Sequence, residues 1–76
     1  MQELVRFIAG RLVDHPDAVQ VLAREDEENL VVELRVHQQD LGKVIGKQGR
    51  TAKAIRALLG TAAQRQGKKA RLDIVE

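Results

Sequence analysis

The chain of 76 residues contains no cysteine, serine, tyrosine or tryptophan, and its one phenylalanine is Phe7. Without cysteine there can be no disulfide framework and no thiol chemistry, which agrees with a reducing compartment. Two isolated histidines and no cysteine cannot build a zinc site. The only side-chain hydroxyls belong to Thr51 and Thr61, and no paired carboxylates stand near the glycine turn described below. No enzyme, cofactor, metal or small-molecule substrate is therefore expected. No apolar run approaches the roughly 20 residues that cross a bilayer. Met1 to Val13 does not read as a signal peptide, because Glu3, Arg6 and Arg11 interrupt it. The expectation is a soluble, cytoplasmic protein.

The length implies one domain. A chain this short buries only about 60% of its extended surface. With no covalent staple, burial and chain entropy come out close to balance. Self-association or a partner subunit is expected on that ground.

The net charge of +2 hides an uneven distribution. Residues 1–40 hold four Arg and nine Asp or Glu (4 − 9 = −5), whereas residues 41–76 hold nine Lys or Arg and two acids (9 − 2 = +7). No acidic residue occurs from Leu41 to Leu72. Solvated helix faces ordinarily mix both signs, so a half without acids points to a polyanionic partner.

Hydrophobic periodicity predicts the elements. A first helix runs over Gln2 to Val13 on a stripe of Leu4, Val5, Ile8 and Leu12, and Phe7, Ala9 and Val13 widen that stripe beyond one buried face. Pro16 prevents its continuation. His15-Pro16-Asp17 matches the signature tripeptide of J-domain cochaperones, but that module places it between two substantial helices, and here a β pattern follows at once. Ala18 to Arg24 reads as a strand with Val19, Val21 and Ala23 on one face, and Glu25 to Asn29 as a polar turn. Leu30 to His37 is the clearest strand, with Leu30, Val32, Leu34 and Val36 on one side. His37 at its end reads as a surface residue rather than a ligand. Asp40 suits the N-cap of a short helix over Leu41 to Ile45. A longer helix over Arg50 to Gln66 buries Ile55, Leu58, Leu59 and Ala62, with Lys53 and Arg56 opposite. Ala70 to Val75 forms a last strand, with Leu72 and Ile74 inward. The order α-β-β-α-α-β fits a two-layer α+β fold.

Gly46-Lys47-Gln48-Gly49 interrupts the best apolar segment. A glycine costs about 1 kcal/mol relative to alanine inside a helix, so the pair marks a turn that needs bare backbone. The turn feeds the N-terminus of the long helix, where unpaired N–H groups and the helix dipole favour anions. Lys43, Lys47, Arg50 and Lys53 surround it. A Walker A loop fails on spacing: Gly42 to Lys47 is one residue short, and Gln48 stands where the magnesium ligand belongs. A dinucleotide fingerprint fails too, since Gly42, Gly46 and Gly49 are wrongly spaced and follow a helix.

Helix, Gly46-Lys47-Gln48-Gly49, helix, set between two strands, resembles the KH domain, whose GXXG loop clamps the backbone of four nucleotides. Val44-Ile45-Gly46-Lys47-Gln48-Gly49 followed by Ile55 matches the V-I-G-x-x-G core and its downstream aliphatic. The added helix and strand precede a minimal core at about 29–76, which resembles the type II arrangement. Pro16-Asp17-Ala18-Val19 and the run from Asp40 to Thr51 extend the resemblance over residues 1–76, to the small single-domain KhpA family of bacteria.

This resemblance implies a three-stranded sheet covered on one face by three helices. It also implies an RNA-binding protein, an RNA chaperone, that self-associates and pairs with a second KH protein, KhpB. Members of that family are linked to cell elongation and envelope homeostasis. Single-stranded RNA would lie beside the loop, with Gly46 and Gly49 admitting its backbone. Lys43, Lys47, Gln48, Arg50 and Lys53 would supply phosphate contacts and positive potential. Val44, Ile45 and an aliphatic patch near the second strand would form a floor for bases. The alternative is a protein-interaction adaptor, or dimerisation module, with little RNA affinity of its own.

Overall fold

A computed structural model describes residues 2–76. Helix α1 spans Gln2–Leu12, strands β1 and β2 span Gln20–Glu25 and Asn29–Arg35, helices α2 and α3 span Leu41–Ile45 and Arg50–Gln64, and strand β3 spans Lys69–Val75. Short 3-10 turns at Pro16–Ala18 and Gln38–Asp40 and a left-handed turn at Lys47–Gly49 lie between them. The sheet order is β1-β2-β3, with β1 antiparallel and β3 parallel to β2. The fold is α+β, in the type II KH arrangement.

The alternation in β2 decides which face is covered. Leu30, Val32 and Leu34 are buried, and Val36 continues the row beyond the strand. Val21 on β1 pairs with Leu34, and Leu72 on β3 pairs with Val32, so one apolar face extends over all three strands. Val5 and Ala9 of α1, Val44 of α2, and Ile55, Leu59 and Ala63 of α3 close over it.

The helical stripes differ from their sequence reading. On α1 only Val5 and Ala9 are fully buried, Ile8 and Val13 flank them, and Leu4, Phe7 and Leu12 are exposed. The helix touches its neighbours along the narrow line of positions 5, 9 and 13, which a wide apolar arc conceals. On α3, Leu58 is half exposed, and the buried line runs through Ala52, Ile55, Leu59 and Ala63. That spacing of three and four keeps these four residues on the one side of the helix that meets the sheet. Boundaries shift by a residue or two: α1 ends at Leu12, although the Val13 amide still donates to the Ala9 carbonyl, and α3 ends at Gln64.

Asp40 occupies the helix-start position expected of it, but its side chain caps nothing in α2. The carboxylate is fully buried and reaches back to the α1–β1 connection. It accepts from the Asp14 amide at 3.2 Å, the His15 amide at 2.9 Å and His15 Nδ1 at 3.0 Å. A carboxylate only accepts, so the proton of His15 is on Nδ1. His37 caps the 38–40 turn by accepting from the Gln39 amide at 3.0 Å, and its ring stacks on His15 with centroids 4.1 Å apart.

The charge split along the sequence becomes a split in space. The acidic β1–β2 turn lies beside the far end of α3, where the Lys69 amide donates to the Glu28 carbonyl and Lys68 pairs with Glu25 at 3.2 Å. The basic loop stands at the near end of α3, about 22 Å away at 1.5 Å per residue.

Burial alone would raise the Asp40 pKa, but the bonds from Asp14 and His15 outweigh it and hold the carboxyl below its ordinary value. A depressed folded-state pKa contributes stability above the unfolded value, about 3.9, and loses it as pH falls through the folded value. Asp40→Asn is expected to lower the thermal midpoint at pH 7, with the gap to wild type narrowing below about pH 4. Thermal melts across pH 2–7 check this; a constant gap would contradict it. Asp26, lowered by bonds from the Glu28 and Asn29 amides, keeps a residual acid slope of the same sign in both proteins.

Candidate nucleic-acid interface

Helix α2 is five residues long and stops at Gly46, whose φ of 80° and ψ of 171° are essentially closed to any residue with a Cβ. The chain then reverses through Gln48 (φ 58°, ψ 25°) and Gly49 (φ 73°, ψ 14°), both left-handed. The Arg50 amide closes this turn on the Lys47 carbonyl, and the Gly49 amide closes on Gly46 at 3.1 Å. Two successive left-handed residues match a type I′ turn. It delivers the chain into α3 with the helix's first amides facing the loop.

The two glycines do different work. A Cβ on Gly46 would lie 2.3 Å from Thr51 Oγ1, 2.7 Å from Thr51 Cβ and 2.9 Å from its amide nitrogen. The bare side of Gly46 is therefore occupied by this chain's own Thr51. A Cβ on Gly49 would meet nothing within 4 Å. Close approach by an outside ligand is open at Gly49.

The residues picked from sequence separate into distinct environments. Lys47, Gln48, Arg50 and Lys53 are exposed around the turn, and Arg50 Nη2 donates to Gln48 Oε1 at 3.3 Å. Lys43 is engaged elsewhere: its ammonium binds Asp14 and lies 3.9 Å from Asp40. The Asp14 hydrogen bond raises its pKa, against the pull of desolvation. Two carboxylates thus face the Lys43 charge before any phosphate could. Val44 is fully buried and offers no surface to a base, while Ile45 remains over a third exposed.

Ile45 opens onto a groove of about 490 Å³ that runs from Gly49 between α3 and the free edge of β3. Its apolar wall is Ile45, Ala52, Leu72 and Ile74. The aliphatic patch expected near the second strand is supplied by β3, which the order β1-β2-β3 leaves at the sheet edge. Arg56, expected opposite the buried face, lines this groove and donates to the Leu72 carbonyl at 3.5 Å. Its position four residues after Ala52 was the available signal, since both then share one side of the helix. Glu33 and Asp73 also line the groove. The groove thus carries acids along its lining, while the unpaired cations among the described residues stand at the turn.

A family model described as the KH domain of KhpA/KhpB matches residues 2–74. The chain belongs to the KhpA/KhpB family. An RNA-binding protein KhpA of Halalkalibacterium halodurans is 54% identical over the whole of both chains. The RNA-binding protein KhpA of Clostridium perfringens is 49% identical over 99% of this chain and all of its own. That of Bacillus subtilis is 43% identical over all of this chain and 94% of its own. Members of the family so named are described as RNA-binding, and an arrangement of basic turn and flanking groove is chemically suited to that ligand.

The turn geometry makes a stability prediction. Gly49→Ala forces a left-handed alanine without a clash and should cost about 1–2 kcal/mol. Gly46→Ala adds a collision with Thr51 backbone and side chain, so it should be the more damaging of the two. Urea unfolding of both variants checks the ranking, and equal losses would contradict it.

Proposed function

We propose that this protein binds single-stranded RNA along the Gly46–Gly49 turn and the adjoining groove, and acts as an RNA chaperone or post-transcriptional regulator together with a second KH protein. The observation that carries this reading is the rim of Lys47, Arg50 and Lys53, which have no acidic partner among the described residues and stand where an apolar groove meets a helix start. Phosphates lie along the turn, close to Gly49, and bases enter the groove against Ile45, Ala52, Leu72 and Ile74. No aromatic side chain lines the groove, so stacking worth about 1–3 kcal/mol per base is missing. Affinity is correspondingly low, salt-sensitive and tolerant of sequence. A homodimer, or a heterodimer with a KhpB-type protein, supplies avidity when two sites engage one strand. The small core, with no covalent staple, supports that arrangement. The setting is the cytoplasm, with no catalytic step.

One observation favours a second reading, an adaptor with little RNA affinity. Leu4, Phe7 and Leu12 of α1 are exposed, Phe7 by 64%. An apolar helix face of this kind suits contact with another protein.

Fluorescence anisotropy of a short single-stranded RNA across a salt series separates the two. With about four phosphates neutralised, the log–log slope is near −3. Lys47→Asp/Gln48→Asp should weaken binding strongly and make the slope shallower, with circular dichroism unchanged. Equal binding by both proteins would move RNA off the turn, and no binding by either would favour the adaptor.

A further inference from the structure

The two edges of the sheet are finished differently. At β1 the neighbouring helix reaches over the edge, with Gln2 Nε2 donating to the Val21 carbonyl at 3.4 Å. Strand β3 has no proline and no strand on its outer side. The Lys69 amide and the Val75 carbonyl bond on the β2 side, to the Glu28 carbonyl and the Val36 amide. Backbone direction alternates along a strand, so Arg71 and Asp73 also face β2, while Ala70, Leu72 and Ile74 present their amides and carbonyls outward. Among the described residues only the Leu72 carbonyl is met there, by Arg56 at 3.5 Å, the outer limit of a hydrogen bond. An uncovered edge of this kind is a template for another strand.

The side chains of β3 select which strand. Consider two β3 strands, antiparallel, with a dyad at Leu72. Leu72 then lies opposite Leu72, and Ala70 opposite Ile74. These are the residues with outward backbone, so each of these pairs exchanges both of its hydrogen bonds. Arg71 of each copy faces Asp73 of the other in the closer, non-hydrogen-bonded pairs. Both project from the face that the helices leave open, where they already bond within one chain at 3.0 Å. Moving the dyad to Arg71 or to Asp73 sets arginine against arginine or aspartate against aspartate, which is destabilising. The register that pairs the whole strand is therefore the one in which its charges complement themselves.

We propose that β3 pairs edge to edge with β3 of a second copy of this chain, antiparallel about Leu72, so that one sheet runs through both copies. Ala70 and Ile74, each half-buried in one copy, cover one another across the seam. Arg56 swings off the Leu72 carbonyl to admit the strand. The contact is small, so the pair is weak and reversible. It also occupies the wall of the groove formed by Leu72 and Ile74. On the reading that bases enter that groove, this pair is the RNA-free form, and it differs from a dimer that engages one strand with two sites.

Sedimentation equilibrium over a range of protein concentration tests the pairing, with circular dichroism as the check on folding. Wild type should pass from monomer to dimer as concentration rises. Arg71→Asp alone and Asp73→Arg alone each set like charges across the seam and should weaken the pair on the order of tenfold. The two variants mixed should associate with each other as wild type does, and so should the double variant Arg71→Asp/Asp73→Arg. Wild type that stays monomeric at every concentration would overturn the proposal. So would single variants that dimerise like wild type, or that mixing fails to rescue. A short single-stranded RNA added to wild type should return the dimer to monomer. RNA that binds and leaves an edge-paired dimer intact would overturn the placement of bases in the groove, while the pairing itself would stand.

Discussion

A carboxylate with no exposure to solvent must be satisfied by the chain around it, and Asp40 meets that demand with two amides and a ring nitrogen from a segment 25 residues away. The consequence is geometric. Asp14 and His15 follow α1, and Asp40 immediately precedes α2, so the two helices are clamped where each meets the sheet. Lys43 repeats the link from the other side through Asp14. Helix α2 is too short to hold its own direction, since isolated helices below about 12 residues are marginal in water. The clamp below and Val44 in the core fix it instead, and with it the turn that ends it.

What the clamp positions is a divided surface. One end of α3 carries cations with no acidic partner among the described residues around a turn of bare backbone, and the other end is closed by the acidic β-turn. Between α3 and β3 the groove is apolar along Ile45, Ala52, Leu72 and Ile74, with Glu33 and Asp73 among its lining. In the proposed binding mode, RNA lays its charges on the turn and its uncharged groups in the groove. The same geometry limits strength: without aromatic faces, the interaction leans on electrostatics, which physiological salt screens within about 8 Å.

Much of this was legible in the sequence. The alternation of Leu30, Val32, Leu34 and Val36 is long enough to specify a central strand and its buried face. Gly46 and Gly49 announce a turn because the segments on both sides are strongly helical. Less visible were features that depend on partners distant in sequence. Asp40 reads as a helix cap from its neighbours alone, and only the tertiary fold turns its carboxylate toward His15. Lys43 reads as one more cation of the rim, yet it is claimed by Asp14. The apolar arc of α1 is wide enough to hide which residues pack, and Arg56 is placed by the β3 edge beside it. Local pattern reports which residues can be buried; contact geometry decides which are.

The most direct test of the account is the map of backbone amide shifts in ¹⁵N-labelled protein titrated with a short single-stranded RNA. Changes are expected at Gly46 to Lys53, at Ile45, Ala52 and Arg56 along the groove, and at Leu72 to Ile74 on β3. The Leu4–Leu12 face of α1 and the acidic turn at Glu25 to Glu28 should stay unmoved. Changes centred on α1 or on the open face of the sheet, with Gly46 to Lys53 silent, would contradict it.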